Sequence, residues 1–201
     1  MTAAFHLYNK EAKRELDVKI NGKSLSFCSE PKCLGVTLDR TLTYRWHLVS
    51  LHKKLTSRAA QLKRLAGSSW GAGADTLRTA ALALVYSTAE YCAPVWCRSA
   101  HCHNIDTAIN GALRTMTGCL RPTPLDNLSI LAGIQPPEFR REEATLSLAR
   151  RALDPNHLLH AKVCAYPNEL PRRLKSRHPF VPAAQLLTNE ANNEQLTSVR
   201  R

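Results

Sequence analysis

A chain of 201 residues, 44% hydrophobic and 22% charged, suits one domain or one and a half. A fold of that size buries roughly 70% of its unfolded surface, so neither a metal nor a disulfide is required for a core. With 28 Lys and Arg against 16 Asp and Glu the net charge is +12, and polyanions become the natural partner class.

The first stretch reads as strands. Leu16, Val18 and Ile20 alternate, Asn21-Gly22 is a strong two-residue hairpin signal, and "KSLSFC" (23–28) returns antiparallel. "CLGVTL" (33–38) supplies a third strand, and Asp39 behind it reads as a turn residue or the start of a helix. Three short strands with so little apolar surface need further strands or a helix to pack on, so an upstream segment is expected to complete them.

From Thr43 the period becomes helical. Leu48, Leu51, Leu55, Ala59, Leu62 and Leu65 recur at steps of three and four, predicting an amphipathic helix from about 44 to 66 that Gly67 ends. Further helices are predicted at about 75–91, with Asp75 as a cap and Leu77, Ala81, Leu84, Val85 and Thr88 inward, at 104–117 on Ile105, Ile109, Leu113 and Met116, and at 138–153. Gly118 and Gly133 read as helix stops, and "RPTPLDN" (121–127) as a turn. The window "TAALALVYSTAEYCAPVW" (79–96) carries Ser87, Glu90 and Pro94 and reads as a buried helix, with no membrane span. Residues 166–201 mix Pro with basic residues and read as a partly disordered tail. The fold class is mainly α: short antiparallel strands in 1–42, a four- to five-helix bundle in 43–165, then the irregular tail.

Seven Cys, an odd number, and no recognisable leader point to reduced thiols in an intracellular setting, cytoplasm or nucleus. Cys92, Cys97, His101, Cys102 and His103 are possible zinc ligands, but structural zinc sites use two separated pairs, and five candidates crowded into twelve residues read better as small buried hydrophobes and their neighbours.

The first helix carries Arg45, Lys53, Lys54, Arg58, Lys63 and Arg64, with no Asp or Glu between 40 and 66. Solvated helix faces usually mix signs to gain i,i+4 pairs, and a one-signed face suits nucleic-acid phosphates as well as solvent. Reversing Lys53, Lys54 and Arg58 is expected to abolish such binding and spare the fold. A second cluster, "RRLKSR" (172–177), lies in the tail. Two-metal chemistry needs converging carboxylates, and the six Asp (17, 39, 75, 106, 126, 154) are scattered. No P-loop, nucleophile elbow or His-Glu-x-x-His run is present, so neither a catalytic residue nor a metal ligand is assigned.

Three segments combine into a family resemblance: "PKCLGVTLDRTLTYRWHL", "AAQLKRLAGSSWGAGADTLRTAALALVYSTAEYCAPVW" and "GCLRPTPLDNLSILAGIQPPEFRREEATL". In this order, from about residue 5 to about 165, the chain resembles the C-terminal part of reverse transcriptases of non-LTR (LINE-type, Jockey-like) retrotransposons. The resemblance implies that "PKCLGVTLD" is the last conserved stretch of the palm, a strand turn that positions the primer end through Cys33, Leu34 and Gly35. The helices after it would be the thumb, gripping RNA, DNA or an RNA–DNA hybrid. Cys33 departs from the family's usual aromatic residue, commonly Tyr. The family's catalytic aspartates, its magnesium and its fingers belong upstream, and no Asp-Asp box occurs here. The chain is therefore expected to be a fragment that binds template and primer, holds no cofactor of its own and is inactive alone. The alternative from the residues is a domesticated helical scaffold for protein interaction.

Overall fold

The computed structural model describes residues 1–6, 8–67, 71–161 and 183. The expected tail, 166–201, and its basic cluster at 172–177 lie outside these residues except for position 183. A short helix α1 (Asn9–Ala12) precedes a hairpin of β1 (Lys19–Ile20) and β2 (Lys23–Ser24), antiparallel with Lys19 opposite Ser24. Asn21 and Gly22 both have positive φ, the requirement of the tight hairpin turn that this pair favours. Beyond the two-residue strands, Leu25 N–H donates to Val18 O, and Phe27 bridges in parallel to Thr2. Arg40 ties this region together, donating to Ala12 O at 3.0 Å and Glu15 at 2.9 Å while its guanidinium lies over the Phe27 ring.

The third expected strand is itself a hairpin. β3 (Lys32–Cys33) turns through Leu34 and Gly35 into β4 (Val36–Thr37), with Cys33 opposite Val36. Leu34 at φ 46° and Gly35 at φ 85° are both left-handed, so the chain reverses where the apolar run predicted continuation. An exposed strand of that length has little to hold it straight, whereas a reversal gives its backbone groups partners within the same segment.

Asp39 then sets the start of α2 (Arg45–Leu65). Its carboxylate accepts hydrogen bonds from Thr41 Oγ1, from Thr43 N–H and Oγ1, and from Tyr44 N–H at 2.6 to 3.0 Å. These bonds hold a loop in which Leu42 and Tyr44 both adopt left-handed backbone angles. Burial opposes the charge of Asp39, but the bonds from Thr43, Tyr44 and Thr41 outweigh it and keep its pKa below the ordinary value.

The rest of the first unit, Met1–Cys92 with Ser99–Phe139, is helical. α3 (Ala74–Ala81) runs through a π-helical turn (Leu82–Tyr86) into α4 (Ser87–Ala89), where an unbroken α-helix was expected. Asp75 lies in the first turn and Gly73 occupies the cap position, without a side-chain cap bond. α6 (His103–Thr117) packs most extensively on α2, and α7 (Leu125–Ala132) packs on α6. Leu48, Leu51, Leu55 and Leu62 of α2 are buried with Ile105, Ile109, Leu113 and Met116 of α6, as the periodicity predicts. Each buried large aliphatic contributes on the order of 1.5–3 kcal/mol, so packing holds these helices. Leu65, in the last turn of α2, is instead 42% exposed. Gly118 and Gly133 end α6 and α7 in the left-handed conformation, and Arg78 of α3 donates to Ala132 O and Gly133 O at the latter end. α7 itself lies partly where the two prolines predicted only a turn: Pro124 stands just before its first residue, a position where a missing N–H is harmless.

The second unit comprises Ala93–Arg98 and Arg140–Arg201. Its described part holds α5 (Ala93–Trp96), with Trp96 fully buried, and most of α8 (Pro137–Arg151). Ala149, Ala152 and Ala183 form a small core with Leu146, Leu148 and Leu159 packed against it.

Candidate nucleic-acid interface

α2 divides its polar residues by what the Leu stripe leaves over. Arg45, Lys53, Lys54, Lys63 and Arg64 are exposed, and none is ion-paired with another described residue. From position 45 to 64 they span roughly 28 Å at 1.5 Å per residue. The nearest acids in sequence are Asp39 and Asp75, and Asp39 is enclosed by its own loop. The face is thus positive along its length.

Arg58 stands apart from the other five. Half-buried, it donates to Leu84 O at 2.7 Å, inside the π-helical turn, and to Thr88 Oγ1. It ties α2 to the neighbouring helix, so reversing Arg58 would break a packed contact and would not spare the fold. A sequence pattern cannot separate it from Lys54 or Lys63, because the difference lies in a partner thirty residues away.

His47, on the inner side of α2, joins the helix to the second hairpin by accepting Thr37 N–H at Nδ1 (3.4 Å). Its buried Nε2 has no hydrogen-bond partner among the described residues. Burial first, then the positive charges of Lys54 and Lys32, push its pKa below the ordinary value. It therefore stays neutral where the outer face of α2 is charged.

At the tip of the second hairpin Leu34 is 84% exposed, beside exposed Cys33. Tyr91 braces this tip: its hydroxyl donates to Leu34 O at 2.9 Å, and its ring would lie 3.2 Å from a Cβ at position 35. A side chain on Gly35 would therefore be crowded as well as strained. Cys33, Leu34 and Gly35 form the tip of a hairpin whose β4 touches α2 through the Thr37–His47 contact.

The other candidates do different work. Cys102 is buried, and the Cys97 thiol is pushed up in pKa by its burial, with Thr145 within hydrogen-bonding distance at 3.7 Å. His103 Nδ1 pairs with Ala100 O, and among the described residues no three His, Cys, Asp or Glu are placed to share a metal ion. Asp17 bonds Ser24 and lies 3.8 Å from Lys19 at the surface. No helix among the described residues is long and apolar enough to cross a membrane. One residue escaped the charge pattern: Trp46, 51% exposed on the same side of α2, with the Arg45 guanidinium 5.6 Å from its ring centroid. Its place opposite the Leu stripe on a helical projection was the available signal.

No family profile matches this chain, and no solved structure does. It is 31% identical over 129 residues, 63% of its length, to the Retrovirus-related Pol polyprotein from type-1 retrotransposable element R1 4 of Nasonia vitripennis, of which it covers 33%. It is 32% identical over 88 residues, 44% of its length, to the Retrovirus-related Pol polyprotein from type-1 retrotransposable element R1 of Bradysia coprophila, covering 9% of that protein. A 115 kDa protein in type-1 retrotransposable element R1DM of Drosophila melanogaster is 27% identical over 119 residues, 59% of the chain and 11% of that protein. The chain thus spans a third or less of the length of the curated relatives it matches. Its homologues are Pol polyproteins of R1 non-LTR elements, as the sequence motifs implied.

Proposed function

We propose that this retrotransposon-related chain serves as the far edge of the palm and the thumb of a reverse transcriptase, binding template and primer without carrying the catalytic aspartates. The observation that carries this reading is α2, with five exposed cations and no acid over a helix of 21 residues. Such a face lowers the energy of a phosphate backbone by Coulomb attraction and by releasing its condensed counterions. Cys33, Leu34 and Gly35 support it from the second hairpin: an exposed tip held by Tyr91 is a rigid element against which a primer end can rest. RNA, DNA or their hybrid is the partner, and the fingers, the catalytic palm strands and their magnesium complete the enzyme from the rest of a longer polyprotein.

The test is binding as a function of salt. Five phosphate contacts give a slope of about −4.5 in log K against log salt for duplex DNA. Replacing Lys53, Lys54 and Arg64 with Glu removes most of that slope while the helical circular dichroism stays unchanged, because all three side chains are exposed. A flat salt dependence in the unmodified chain overturns the reading. Purified and free of contaminating polymerase, the 201-residue chain extends no primer; detectable extension contradicts the catalytically empty assignment.

A second reading, a protein-interaction scaffold, is favoured by one observation. Ile130 and Leu131 on α7 are 77% and 62% exposed, with Leu120, Leu125 and Phe139 also exposed nearby in sequence. A scaffold binds polyanions weakly and with a shallow slope, so the same salt series separates the two.

A further inference from the structure

Folded chains usually bury most of a Trp side chain, as this one does with Trp96. Trp46 is different: half its surface faces solvent although it sits on the longest of the described helices, whose opposite side supplies four buried leucines. Steps of 100° per residue bring Lys53, Ser57 and Arg64 each within roughly 20° of Trp46, so all four share one exposed stripe. The ring stands at the N-terminal end of that stripe. Its base is fixed, because the first turn of α2 is oriented by the Asp39 loop through Thr43 and Tyr44. Arg45 lies over the ring, adding a cation beside an aromatic surface.

An aromatic face next to a line of cations matches the chemistry of a nucleic-acid strand whose backbone continues while a base is unpaired. The cations attract phosphates whatever the strandedness, but a flat apolar ring gains contact only from a base outside a continuous stack. We infer that Trp46 is a stacking platform for an unpaired nucleobase where single strand meets duplex, with the flanking backbone running along Lys53 and Arg64. This rests on the reading of α2 as a phosphate-binding face.

The experiment uses the full chain with two probes of the same sequence, a blunt duplex and a duplex with a single-stranded overhang carrying 2-aminopurine at its first unpaired position. Trp46→Ala lowers affinity for the overhang probe by about 5- to 150-fold and abolishes the change in 2-aminopurine fluorescence, while blunt-duplex affinity and both salt slopes are unchanged. Trp46→Phe retains most of the overhang preference. Lys53→Ala instead reduces the salt slope on both probes by roughly 0.7–0.9. Equal loss on the two probes, or no loss on the overhang, overturns the platform and assigns the exposed ring to a protein surface, while a steep slope in the unmodified chain leaves the phosphate-binding face standing. A flat slope on both probes overturns the face and the platform together.

Discussion

The two hairpins have the same geometry and opposite economies. Each joins two-residue strands through a turn with two consecutive positive φ angles. The first uses Asn21-Gly22, residues that accept those angles readily, and nothing lies within 4 Å of a Cβ built on Gly22. The second places a γ-branched residue, Leu34, at φ 46°, where an L side chain costs about 1–2 kcal/mol. It recovers stability from outside, through Tyr91 at the tip and through the Asp39 loop that follows. A turn that local propensity would satisfy is left free, and a turn that propensity opposes is anchored at a place where function is proposed.

The strongest way to break that contrast is to load both glycines with the same side chain. Gly35→Val costs about 3 kcal/mol, combining a left-handed β-branched residue with crowding against Tyr91, whereas Gly22→Val costs about 1–2 kcal/mol for strain alone. Hydrogen exchange reads the difference at Leu38, whose N–H bonds Pro31 O, and at Leu25, whose N–H bonds Val18 O. Equal losses of protection would mean that the Tyr91 contact does not matter.

Next comes Asp39→Ala, which removes four charge-assisted bonds and costs about 2 kcal/mol in urea unfolding. Acid should mimic it. The folded pKa of Asp39 is depressed, so its stabilising contribution is complete above the usual carboxylate pKa of about 3.9 and is lost as pH falls through the lower folded value. His47 acts in the same direction at higher pH: its contribution is complete above about 6.5 and is lost as pH falls through its depressed pKa, because the unfolded chain takes up the proton first. Stability therefore falls in two stages on acidification; in Asp39→Ala only the lower stage disappears.

Tyr91→Phe produces a smaller effect still, since its bond to Leu34 O lies at the surface; the expected sign is faster exchange at the second hairpin with none at the first. The smallest change runs the other way. Leu34→Asn relieves the left-handed strain and stabilises by about 0.5–1 kcal/mol, because the 84% exposed Leu gives up little buried surface. If the tip positions a primer end, affinity for a primer–template falls in the same variant. A gain in both would remove the functional reading of the strain.

The sequence exposed one of these hairpins and concealed the other for a physical reason. Asn-Gly announces its turn by backbone preference, whereas Leu-Gly inside an apolar run carries the pattern of a strand, and the tip of its reversal is braced by Tyr91, fifty-seven residues away. The same division runs through the helices. The inner residues of α2 and α6 follow their spacing because burial acts on every member of a stripe. Arg58 and the π-helical turn depend on one particular neighbour, and α7 begins directly after a proline whose breaking effect ends there. For the candidate interface, charge singled out α2 for its run of cations, but it could not show that Arg58 is engaged with Leu84 and Thr88.

Tyr91 grips the main-chain carbonyl of Leu34, whose side chain stays 84% exposed. The anchor is therefore blind to the identity of residue 34. That position can drift over generations, or be rewritten at the bench, among all residues that accept the backbone angle, without any adjustment of the brace. The tip is an exchangeable head on a fixed mount, and new surface chemistry can be tried there one residue at a time.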